Sequence, residues 1–71
     1  MKISDFDHVS TEQAVNTRDG ALEIAKQNAG DPSKRELCAA AWVTWKAYDA
    51  VVEYRRAQGC KIPKSLYELT A

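Results

Sequence analysis

A chain of 71 residues, 45% hydrophobic and 28% charged, makes one small domain and is too apolar for wholesale disorder. Ten cationic and ten acidic side chains cancel, which argues against a partner held mainly by net charge. So short a chain buries only roughly 60% of its unfolded surface, and chains of this size commonly add a disulfide, a metal or a second copy.

Residues 1–9 read as an N-terminal arm. Ile3, Phe6 and Val9 recur every third residue, the spacing of a short helical turn or an irregular strap. Asp5 and Asp7 interrupt any apolar leader core, so no targeting segment is expected and the chain reads as cytoplasmic. His8 has no nucleophile fixed near it and reads as a surface group.

Ser10-Thr11-Glu12-Gln13 starts a helix: Ser10 caps, Gln13 reaches back, and Val9 staples onto Ala14. The predicted span is about 11–29. Asn16-Thr17-Arg18-Asp19-Gly20 is poor in helix propensity, and two readings stand. The helix either continues through it or breaks, with Asp19 recapping residues 20–29. Gly30 ends this element and Asp31-Pro32 begins the next at once. A connection that short makes antiparallel neighbours, a helical hairpin. A helix-turn-helix is a poor match, because the turn glycine expected four residues after Ala25 falls at Gly30 instead of Ala29.

Asp31 as N-cap with Pro32 at the first helical position opens a long helix, predicted over 32–58. Ser33 and Glu36 offer a competing capping box, and Gly59 a left-handed stop. At 100° per residue the apolar positions of this helix cover an arc of roughly 240°, far more than one neighbour requires. The longest apolar run, Leu37 to Val43, is far short of the ~20 residues of a membrane span. Two coverings of the surplus are open: the chain's own termini, or a second copy docked on Leu37, Ala41, Trp45, Tyr48, Val51 and Val52. The polar strip holds Arg35, Lys46, Asp49, Glu53 and Arg56, with Trp42 in its middle. An aromatic among charges is a typical interface anchor. Trp42, Lys46, Asp49, Glu53 and Arg56 are therefore the expected partner-binding residues, with burial of Trp42 under Phe6 or Ile3 as the competing reading.

Cys60 to Lys64 forms a turn, and Ser65 with Glu68 caps a short helix at about 66–70, whose Ile62, Leu66 and Leu69 side pack back on the hairpin. The whole is all-α. Cys38 and Cys60 lie 22 positions apart, ~33 Å along a helix, so no intrachain disulfide is expected. Both read as reduced thiols.

Catalytic constellations are absent from the pattern. One histidine and two cysteines without a C-x-x-C make no zinc site, and three glycines make no phosphate loop. Asp49 and Glu53 adjoin on one face, yet Lys46 and Arg56 beside them make an ordinary charge ladder. No cofactor, no metal and no enzyme are expected. The charge is uneven: residues 1–31 set Lys2, Arg18 and Lys26 against six acids, a net −3, and residues 32–71 carry the balancing +3. Arg55, Arg56, Lys61 and Lys64 give the basic end a possible grip on phosphates, so a small DNA-binding regulator is the alternative. The favoured reading is a dimeric, non-catalytic interaction protein. By size and class it is similar to the short, motif-poor accessory proteins of bacteriophages and mobile elements, which often bind and block host proteins, defence machinery included.

Overall fold

The computed structural model describes residues 2–69. Among them every regular element is helical. A 3-10 turn at Ile3–Phe6 precedes α1 (Thr11–Asn28). A second 3-10 turn at Pro32–Lys34 leads into α2 (Arg35–Ala57), and α3 (Leu66–Leu69) is the last element among the described residues. α1 and α2 form the antiparallel hairpin. Position 70, the predicted end of the last helix, lies outside the described residues, as do Met1 and Ala71.

The helix ends follow the local chemistry. Ser10 Oγ accepts the Gln13 N–H at 3.0 Å. Asp31 Oδ1 accepts both the Ser33 N–H at 2.9 Å and the Ser33 hydroxyl at 2.7 Å. That pairing occupies Ser33, so it is Asp31 that caps here, and the first turn after it is 3-10. At the far end the Cys60 N–H donates to the Arg55 carbonyl and the Gly59 N–H to the Arg56 carbonyl, both at 3.0 Å. With φ +87° at Gly59 this is a Schellman stop.

α1 runs unbroken through Gly20. Asp19 caps nothing; its carboxylate takes the Arg18 Nε–H at 2.9 Å. The glycine has a packing reason: a Cβ there would stand 3.1 Å from the Tyr67 hydroxyl of α3.

The core sits at the open end of the hairpin. Val9, Ala14, Val15, Val51 and Val52 are buried together, with Ile3, Phe6, Tyr48 and Ile62 packed against them. Phe6 meets Tyr48 edge-on at 5.1 Å. The arm is fastened as well as packed. The Arg55 guanidinium donates to the Phe6 carbonyl at 3.0 Å, the Val9 carbonyl at 2.6 Å and Thr11 Oγ1 at 3.2 Å. Toward the turn, the seam between the helices is built of Ala21, Ala25 and Ala41. Small side chains let the backbones approach but bury little area, so this half of the molecule has a thinner interior.

The chain's own termini therefore cover part of the predicted apolar surplus. Tyr48, Val51 and Val52 lie under the arm and the Ile62 turn, and Ala41 lies against α1. Four of the six residues expected to meet a second copy are thus committed within one chain. Leu37, 45% exposed, stays open, while Trp45 is half-buried. The physical reason is the arm: Ile3, Phe6 and Val9 supply an apolar strap close at hand in the sequence.

Candidate interaction surface

Trp42 stands on α2 two turns beyond the hairpin connection. It is 48% exposed. The Phe6 ring expected as its alternative cover packs on Tyr48 instead. Trp45 meets Trp42 edge-on, with centroids 5.8 Å apart and planes at 81°, which fixes the outward ring. Beside Trp42 opens a cleft of about 340 Å³, walled by Ala25, Asn28, Gly30, Asp31, Arg35 and Cys38. The Cys38 thiol points inward to the Ala25 carbonyl at 3.9 Å, and Cys60 is exposed at the other end of α2; both are free thiols. The cleft thus offers an aromatic wall, a cation from Arg35 and an acid from Asp31.

The predicted polar strip divides. Lys46 is exposed, one turn beyond Trp42. Glu53 and Arg56 pair at 3.1 Å in solvent, each more than half exposed. Asp49 turns toward α1 and lies 3.6 Å from Arg18. That places it in a network whose importance the sequence did not reveal. Arg18 reaches Asp19 at 2.9 Å, Asp49 at 3.6 Å and Glu68 at 3.9 Å, tying α1, α2 and α3 with a side chain only 14% exposed. Burial works against the Arg18 charge, but the Asp19 hydrogen bond and the surrounding carboxylates outweigh it and raise its pKa further. Burial likewise pushes the Asp19 carboxyl up, yet the Arg18 guanidinium and the Ser65 hydroxyl hold it below the ordinary range. Ser65 is fully buried, also accepts the Glu68 N–H at 3.1 Å, and stands where the Leu66 N–H binds Asn16 Oδ1 at 2.9 Å. This cluster anchors the C-terminal segment through polar contacts: of the residues expected to pack back on the hairpin, Ile62 does so, while Leu66 and Leu69 stay 62% and 66% exposed. Its clue in the sequence was the "poor" helix segment itself: residues weak as helix formers were carrying tertiary hydrogen bonds.

The four cations offered for nucleic acid do not share one role. Arg55 clamps the arm, Arg56 pairs with Glu53, and Lys61 and Lys64 are exposed on the turn. His8 is exposed on the arm. Among the described residues no group of three or more His, Cys, Asp or Glu could hold a metal ion, and no helix is long and apolar enough to cross a membrane.

Comparison with family models, with curated proteins and with solved structures finds no match for this chain.

Proposed function

We propose that the chain is a non-catalytic protein–protein interaction module that inhibits or adapts another macromolecule, engaging it with the turn end of the hairpin. One observation carries this reading: the tails cover the open end, while Trp42, held upright by Trp45, stays half exposed beside a cleft. An ordered, half-exposed tryptophan contributes much contact area at small entropic cost, which is why tryptophan dominates interface hot spots. Arg35 flanks it in the cleft wall and supplies a polar rim contact, whereas Asp49 belongs to the interior network.

The test compares capture by the wild-type chain and by a Trp42→Ala/Arg35→Glu variant, using lysate of the cell that encodes it and mass spectrometry. A protein retained by the first and lost by the second, at equal helicity, supports the proposal. Identical capture by both chains refutes the assignment of this surface.

A further inference from the structure

One flank of α2, beside its core face, carries a second apolar series. Positions 40, 43, 47, 50, 54 and 57 alternate in steps of three and four, and each is apolar: Ala40, Val43, Ala47, Ala50, Tyr54 and Ala57. Five of the six are exposed and Ala47 is half-buried. The two large members are the most open, Val43 at 65% and Tyr54 at 50%. Steps of three and four over about five turns are the pattern of a helix–helix seam, with period 3.5. The arm and the Ile62 turn pack on the side of Tyr48, Val51 and Val52, and α1 reaches the series only at Ala40.

We propose that this face binds a second copy of the chain, with the two α2 helices antiparallel about a two-fold axis between residues 48 and 49. Two observations select that occupant. The series has the same spacing read in either direction, so a reversed copy sets 40 against 57, 43 against 54, and 47 against 50. Each Val43 then meets a Tyr54 ring, and the alanines between them permit the close approach of ~8 Å seen between small-faced helices.

Charge complementarity is the second observation. The flanking positions just before 47 and 54 are Lys46 and Glu53, both exposed. In an antiparallel pair these flanks face one another, so Lys46 meets the partner's Glu53, and the axis repeats the pair. A parallel copy would face Lys46 with the flank of Val51, which is buried, and would stack Tyr54 on Tyr54. The antiparallel arrangement satisfies both charges, and Glu53 keeps its own Arg56 as well. The inference does not depend on the Trp42 surface, and neither Trp42 nor Arg35 belongs to this seam.

The experiment is sedimentation equilibrium on the full chain across a micromolar to submillimolar range. Wild type is expected to dimerise. Ala50→Glu, at an exposed site that leaves the core untouched, is expected to be monomeric at unchanged helicity. Lys46→Glu alone and Glu53→Lys alone each weaken the dimer about tenfold, because two rim pairs turn from attraction to repulsion. The double exchange Lys46→Glu/Glu53→Lys restores it. A wild-type monomer throughout the range overturns the proposal. So does a dimer indifferent to Ala50→Glu. Single reversals without recovery in the double exchange overturn the antiparallel arrangement.

Discussion

Replacing Arg55 by alanine removes three hydrogen bonds at once: those to the Phe6 and Val9 carbonyls of the arm and to Thr11 Oγ1 at the start of α1. A hydrogen bond from a charged donor contributes roughly 1.5–3 kcal/mol when deleted singly. The three share one side chain, and at a half-buried site water reaches the freed carbonyls, so the total is smaller than their sum, about 2–3 kcal/mol. Domains of this size have a stability of about 4–10 kcal/mol. The loss should lower the melting temperature by roughly 10–20 °C. Arg56 is the built-in control: adjacent, chemically identical, and, among the described residues, paired with Glu53 in solvent. Arg56→Ala should cost no more than about 0.5 kcal/mol. Arg55→Lys should fall between the two, since an ammonium cannot fork to three acceptors spread over two segments. Thermal and urea melts followed by circular dichroism read all three variants. Chymotryptic cleavage after Phe6 should also quicken in Arg55→Ala, because the strap is unlatched. Equal melting temperatures for Arg55→Ala and Arg56→Ala would refute the clamp.

Val52→Ala, at a fully buried site, should destabilise by about 2 kcal/mol in denaturant melts, while Val43→Ala, 65% exposed, should change monomer stability by less than about 0.5 kcal/mol. Asp19, whose folded pKa lies below the usual 3.8, contributes stability that is complete above that value and is lost as pH falls through its lowered folded pKa. Asp19→Asn should therefore be less stable than wild type at neutral pH, and the gap should narrow in melts carried below about pH 4. Gly59→Ala should cost about 1 kcal/mol in the same melts, because φ +87° strains any residue with a Cβ.

The hairpin was legible because its signals are local. Ser10, Asp31-Pro32 and Gly59 each mark an end through their own backbone or cap chemistry, and the structure places all three at helix ends. Gly20 misled in part: its propensity suggested a break, while tertiary packing under Tyr67 decides the matter. What covers the apolar arc was illegible, because a helical wheel assigns residues to faces and says nothing of which segment arrives there. Arg55 shows the limit best. As a cation near the C-terminus it looked like a phosphate contact, and only the return of the arm across the chain, 49 positions away at Phe6, turns it inward. Asp49 moved from the contact strip to the Arg18 network for the same reason, since its neighbour lies on the other helix.

The alanine-lined stretch around Ala21, Ala25 and Ala41, set against the valine and aromatic packing at the opposite end, has a kinetic corollary. Amide exchange should be lopsided. Protons near residues 24–40 should swap with solvent through small openings, and those near 12–18 and 48–55 only when the molecule unfolds altogether. The looser end is also the one that presents Trp42. A ligand gripping there would slow exchange through that stretch far more than elsewhere, so a deuterium map with and without it would display the binding event as a stiffening of one pole.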